Sequence, residues 1–106
     1  MRGTKKYLVP AHEIHNTLED LAQIQNGGGL EAKKTDRTRF IITMYGLQWE
    51  IAIDVLDTGD DRCSVTIEAM GEERAMDRLI YRQFSLLDAL LIARAKDELK
   101  NLDKAP

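Results

Sequence analysis

The chain has 106 residues, of which 43% are hydrophobic and 31% charged, and its formal net charge is -3. A chain of this length forms one domain, and this composition is too apolar for a disordered protein. Its basic residues are scattered, which argues against a nucleic-acid partner. No run approaches the roughly 20 apolar residues of a membrane-spanning helix, and Cys63 has no second cysteine to pair with. We therefore expect one cytoplasmic domain over residues 1–106, with frayed ends at about 1–4 and 103–106.

The first quarter of the chain reads as a strand followed by a helix. Residues 5–9 are short, β-branched and aromatic at the centre, and Pro10 stops them, as suits a strand at the edge of a sheet. In AHEIHNTLEDLAQIQ, one helical face is predicted from residues that recur at spacings of three and four: Ile14, Leu18, Leu21, Ala22 and Gln25. Asn26 and three glycines then favour the end of that helix.

From residue 30 the apolar residues alternate, which is typical of half-buried antiparallel strands. We expect a short strand at 30–33, a turn at 35–37, and a turn by composition at 57–61. The inward positions of the three clearest strands are Phe40, Ile42 and Met44; Trp49, Ile51, Ile53 and Val55; and Cys63, Val65, Ile67 and Ala69. A helical period follows from about residue 75 to 102.

This order predicts an α+β fold: a strand, a helix, a four-stranded antiparallel meander and a long C-terminal helix, with both helices on one sheet face. The blocks RFIITMY, QWEIAIDV and RCSVTIEA, followed by MDRLIYRQFSLLDALLIARA, resemble in element order the helix-grip (START-like) class and the saddle-shaped sheets of the TATA-binding-protein kind. The resemblance implies an apolar cavity beneath the C-terminal helix or a partner-binding surface, and it implies no reaction. The chain is shorter than helix-grip proteins, which usually carry additional strands and an extra helix.

The long helix carries more apolar surface than one sheet-facing stripe requires. The stripe predicted to cover the sheet contains Met76, Ile80, Phe84, Leu87, Leu91, Ala95 and Leu102. A second stripe, more than 100° away, contains Leu79, Leu86, Leu90 and Ala93. Another subunit would cover this second stripe in a symmetric homodimer, and the first helix or lateral packing within the domain is the alternative.

Asp88 projects toward the sheet side of the long helix, where an unpaired buried carboxylate would cost several kcal/mol. It therefore lies at the margin in water or has a partner such as Tyr81, Arg39 or a group of a ligand. If a cavity exists beneath the helix, we expect its lining to include Phe40, Trp49, Tyr81, Phe84 and Asp88. Trp49 is also an ordinary core residue in the alternative without a cavity.

The remaining candidate sites are weak. His12, His15 and Glu19 have the spacing to face one metal ion, but HEIH lacks the second histidine, four residues after the first, of the helical zinc-protease motif. The NGGG stretch leaves a helix, whereas phosphate loops lead into one. Cys63 points inward as a small apolar residue. The carboxylates Glu50, Asp54 and Glu68 suit a solvated sheet face better than a general acid and base. We expect no catalytic residue, metal ion or cofactor.

Two functional hypotheses follow from these residues. The first is a small non-enzymatic module that self-associates through its C-terminal helix and binds another protein. The second is a helix-grip-like carrier of a small apolar ligand between the sheet and that helix, oriented by Asp88 and packed against Trp49. An enzyme that uses Asp88 or the histidine pair is the least supported alternative. An apolar stripe has the same sequence whether a subunit or a lipid tail covers it.

Overall fold

A computed structural model describes residues 1–25, 31–32, 37–44 and 46–103. The elements in chain order are β1 (Arg2–Tyr7), α1 (Ala11–Gln23), β2 (Glu31–Ala32), β3 (Arg37–Met44), β4 (Leu47–Gly59), β5 (Arg62–Gly71) and α2 (Met76–Asp103). The predicted α+β order is therefore confirmed. Residues 2–4, which were expected to fray, belong to β1, because they pair with β5. The predicted turn at 35–37 falls largely outside the described residues, and the NGGG stretch and Tyr45 fall wholly outside them.

The strands of the described residues form one antiparallel sheet in the order β1-β5-β4-β3-β2, so that β1 is an edge strand. Register pairs such as Phe40 with Ile51, and Ile53 with Ile67, place the apolar positions of neighbouring strands on the same face. Gly3, Lys5 and Tyr7 of β1 share that inner face, because they pair with Ile67, Val65 and Cys63. Alternation along each strand thus separates a helix-covered face from an outer face.

The outer face is a layer of ion pairs over a small buried residue. Arg37 lies 3.4 Å from Asp54 and 3.9 Å from Glu68, and Arg39 lies 3.5 Å from Glu50. Ala52, at the centre of this face, is fully buried. Since exposed ion pairs contribute about 0–1 kcal/mol each, the layer shields the sheet more than it stabilises it. The carboxylates that the sequence placed here are paired with arginines.

The connections between the strands explain the bounds of β4 and β5. Asp60 and Asp61 have φ angles of 53° and 57°, as the two central residues of a type I′ hairpin turn require. The turn predicted at 57–61 is thus shorter in the structure, where it consists of Asp60 and Asp61 alone, because β4 continues to Gly59 and β5 begins at Arg62. At the far end of β5, Gly71 has a φ of 140°, and a Cβ there would lie 2.5 Å from the backbone oxygen of Gln48.

Both helices pack on the inner face and complete one hydrophobic core. α1 contributes Ile14, Leu18 and Leu21, and α2 contributes Ile80 and Leu87. From Ala95 to Leu102 every side chain of α2 is exposed, so the last turns of the helix project beyond the rest of the domain. Among the described helices, neither is long and apolar enough to cross a lipid bilayer.

Candidate functional site

Asp88 of α2 binds two side chains of the edge strand β1. The Tyr7 hydroxyl donates a hydrogen bond of 2.7 Å to Oδ1, and the Lys5 ammonium lies 2.5 Å from Oδ2. Lys5 Nζ also lies 5.1 Å from the centre of the Tyr7 ring. Both carboxylate oxygens are therefore engaged, and the tether joins α2 to the sheet edge. The partners of Asp88 are neither Tyr81 nor Arg39, the two side chains that the sequence suggested.

Burial, followed by the hydrogen bond to Asp88, raises the pKa of the Tyr7 hydroxyl well above its ordinary value. Burial, with the nearby charge of Asp57, also raises the pKa of the Cys63 thiol. Both groups are therefore protonated at neutral pH: the tyrosine is a hydrogen-bond donor, and the thiol lacks the thiolate character of a nucleophile. These protonation states suit a structural role for the cluster and not a catalytic one.

A cleft opens beside this tether, between the end of β1 and the β4–β5 hairpin. Its volume is about 290 Å³. The side chains and backbone that line it belong to Lys6, Tyr7, Leu8, Thr58, Gly59, Asp60, Arg62 and Cys63. The cleft therefore lies at one end of the sheet and not beneath α2, where the sequence placed a ligand.

The structure distributes the predicted cavity residues over three environments. Phe40 and Trp49 are buried in the core, and the indole N–H of Trp49 donates a hydrogen bond of 2.7 Å to the backbone oxygen of Glu72. Phe84 is partly buried against the same core. Tyr81 is 75% exposed, so its side chain is not enclosed between helix and sheet. Phe40, Trp49 and Phe84 thus fill the core region in which the ligand was predicted.

The predicted interface stripe is divided between the core and the surface. Leu79 is only 4% exposed, so it is a core residue of the single chain. Leu86 and Leu90 are partly buried and pack against the core, whereas Ala93 is exposed. The intrachain alternative, in which α1 covers this side of α2, accounts for most of the stripe.

A buried pair of amides joins α2 to the turn that follows α1. Gln83 is fully buried, and its side chain exchanges two hydrogen bonds with Gln25, at 2.7 and 2.8 Å. Gln25 also donates to the backbone oxygen of Leu21 at 3.0 Å. Sequence reasoning placed Gln25 on the inner face of α1 but missed Gln83, because a polar residue among leucines looks like a surface position. Its spacing of four residues from Leu79 and Leu87 was the available signal.

A second feature that the sequence reasoning missed is an apolar line on the projecting end of α2. Ile92, Leu99 and Leu102 are 58%, 61% and 70% exposed, and Ala95 lies between them. These positions are three, four and three residues apart, the spacing of a coiled-coil seam. We call these four residues the terminal seam. The heptad spacing is visible in the sequence. Leu102 was nevertheless predicted to cover the sheet, because the sequence does not show at which turn of α2 the sheet ends.

His12 and His15 are exposed on α1, and His12 lies 3.6 Å from the carboxylate of Glu13. Among the described residues, no group of three histidine, cysteine or acidic side chains is arranged to hold a metal ion. The site therefore consists of a tether, a shallow cleft and the terminal seam.

No family model and no curated protein matches the chain. A solved structure that the chain is similar to is TTHA0849 from Thermus thermophilus, at 12% sequence identity. The alignment covers 88% of this chain and 91% of that one, with a TM-score of 0.35. A superposition as loose as this one carries no argument about function.

Proposed function

We propose that the protein is a small non-enzymatic interaction module that self-associates through the terminal seam of α2. The observation that supports this proposal is the exposure of Ile92, Leu99 and Leu102, together with the exposure of every side chain of α2 from Ala95 to Leu102 within the described chain. Isolated helical segments of this length are marginal in water, so a projecting helix with an apolar line is best stabilised by a partner helix.

The expected association is weak. Burying one Leu or Ile side chain contributes about 1.5–3 kcal/mol, and the three large side chains of the seam are already partly covered. Two copies together therefore contribute roughly 6–10 kcal/mol, which the cost of association, about 4–15 kcal/mol, largely offsets. The net gain is therefore at most about 6 kcal/mol, and we expect a dissociation constant between about 40 µM and 1 mM.

Sedimentation equilibrium over a wide concentration range tests the proposal. The weight-average mass should rise from that of the 12.0 kDa chain toward twice this value. The double substitution Ile92→Glu with Leu99→Glu should hold the protein at the mass of the monomer. Leu56→Glu is the matched control, because Leu56 is 66% exposed on the outer sheet face, away from the seam. A monomeric wild type at about 1 mM would refute the proposal.

The ligand-carrier hypothesis receives less support. Of the residues predicted to line its cavity, Phe40, Trp49 and Phe84 pack in the core and Tyr81 is exposed. Asp88, predicted to orient the ligand, is held by Lys5 and Tyr7. No observation on the described residues favours a ligand beneath α2.

A further inference from the structure

The open edge of β1 presents backbone hydrogen-bonding groups at regular intervals. The Ala69 amide donates to the backbone oxygen of Met1 at 2.9 Å, and the α-ammonium of Met1 donates to the backbone oxygen of Ala69 at 3.3 Å. Met1, directly before β1, and Ala69 of β5 thus form a hydrogen-bonded pair. Such pairs alternate along an antiparallel ladder. The N–H and C=O groups of Gly3, Lys5 and Tyr7 therefore point toward β5, and those of Arg2, Thr4 and Lys6 point outward. No other strand among the described residues pairs with this edge.

The charges along this edge have one sign. The strand RGTKKY carries Arg2, Lys5 and Lys6 and no acidic residue, although the whole chain has a net charge of -3. Lys5 is engaged by Asp88, and Arg2 makes only an exposed contact of 3.7 Å with Glu68. Lys6 has no ion pair with any described residue. The outward-pointing backbone is thus flanked on the outer face by the cations Arg2 and Lys6.

One side of α2 forms a wall along the same edge. Phe84 lies over Gly3, where an added Cβ would be 3.3 Å from its ring, and Asp88 lies over Lys5 and Tyr7. Tyr81 is seven residues before Asp88 and therefore on the same line of the helix, with 75% of its surface exposed. A strand added beside β1 would place alternate side chains toward this aromatic wall and the others toward Arg2 and Lys6.

We propose that the edge of β1 binds an extended acidic segment of a partner protein by strand addition, with carboxylates opposite Arg2 and Lys6 and small apolar side chains toward Tyr81. Backbone hydrogen bonds to Arg2, Thr4 and Lys6 hold the added strand in place, and the charges of Arg2 and Lys6 select an acidic segment. A second copy of the chain is disfavoured in the register centred on Thr4, which gives the fullest overlap of two β1 edges. Antiparallel pairing of two β1 edges about Thr4 would place Arg2 of each copy opposite Lys6 of the other, and like charges directly opposite destabilise a sheet.

The proposed edge is separate from the terminal seam, and the two succeed or fail independently. The experiment uses a fluorescent seven-residue peptide with glutamate at alternate positions and valine or threonine between them. Its counterpart carries lysine in place of glutamate. Fluorescence anisotropy with the full-length protein should show saturable binding of the glutamate peptide that weakens with added salt, and no binding of the lysine peptide. The double variant in the seam, Ile92→Glu with Leu99→Glu, should bind the glutamate peptide as the wild type does.

Two variants at Thr4 separate the backbone from the side chain. The Thr4 hydroxyl lies 2.9 Å from that of Thr66, and both Thr4→Pro and Thr4→Val lose this contact. Only proline removes the outward N–H, and proline is accepted at edge positions whose N–H faces solvent. Thr4→Pro should weaken binding at least about tenfold, and Thr4→Val should change it less than about twofold.

Reversing the charges of Arg2 and Lys6 tests their proposed role in selecting an acidic segment. This test does not depend on whether Thr4→Pro folds. Arg2→Glu with Lys6→Glu should reverse the preference, so that the lysine peptide binds and the glutamate peptide does not. In the wild type, amide NMR shifts on titration should be largest at Arg2, Thr4, Lys6 and Tyr81. The proposal would be overturned if neither peptide bound at about 1 mM, or if both bound equally well. It would also be overturned if the NMR shifts were confined to another surface, or if folded Thr4→Pro and Thr4→Val bound with equal affinity.

Discussion

Replacing Asp88 with alanine removes the two contacts that tie α2 to β1. A hydrogen bond to a charged group contributes about 1.5–3 kcal/mol, and the Tyr7 hydroxyl that donates it is part-buried. The Lys5 ion pair is exposed on both sides and contributes at most about 1 kcal/mol. We therefore expect Asp88→Ala to lower the free energy of unfolding by about 2–3 kcal/mol, which in a domain of this size lowers the Tm by roughly 10–20 °C.

A double-mutant cycle assigns the loss to its source. The coupling energy between Tyr7→Phe and Asp88→Ala should be about 1.5 kcal/mol, and that between Lys5→Met and Asp88→Ala should be smaller than about 1 kcal/mol. Urea unfolding followed by the fluorescence of Trp49, the single tryptophan, measures all the variants. A Tyr7–Asp88 coupling below about 0.5 kcal/mol would show that the tether does not stabilise the fold and would refute this reasoning.

Three further predictions concern the packing and ionisation of the core. Gly3→Val should destabilise the domain by about 1–3 kcal/mol in urea unfolding, because even a Cβ added at Gly3 would lie 3.1 Å from the Ile80 side chain. An unchanged free energy of unfolding would show that α2 can shift away from β1 at little cost. Gln83→Leu should cost about 1–3 kcal/mol by leaving Gln25 without its buried partner, and the double leucine variant should recover most of this loss; additive losses would contradict it. The pKa of Tyr7 is raised in the folded state, so the Tyr7 hydroxyl contributes fully to the free energy of unfolding below pH 10. This contribution is lost as the pH rises further. Wild type should therefore lose up to about 1.4 kcal/mol per pH unit above pH 10 relative to Tyr7→Phe, and parallel pH profiles would exclude this linkage.

The sheet and its helices were predictable from the sequence because alternation is a local signal. Trp49, Ile51 and Ile53 lie on the inner face as their spacing requires, and Ile14 and Leu18 mark the buried side of α1. Apolar periodicity identifies a buried face without any knowledge of the neighbouring element. It therefore predicted the element order and the sheet faces together.

The contacts of α2 were not predictable in the same way. Asp88 meets Lys5 and Tyr7 across more than 80 positions of sequence, and a helical wheel gives the direction of a side chain but not the residue it meets. The same limitation applies to Leu79, which lies in the core although the wheel placed it on a second stripe. Leu102 points in the direction of the sheet-facing stripe, but at that point of the helix there is no sheet to cover it.

The most direct test of self-association through the terminal seam is an isotope-filtered NMR experiment on mixed labelled and unlabelled chains. At concentrations where the mass approaches that of a dimer, we predict intermolecular contacts among the methyl groups of Ile92, Leu99 and Leu102. Intermolecular contacts from Leu86 and Leu90, with none from the seam, would contradict the account and would return the interface to the stripe first predicted from the sequence.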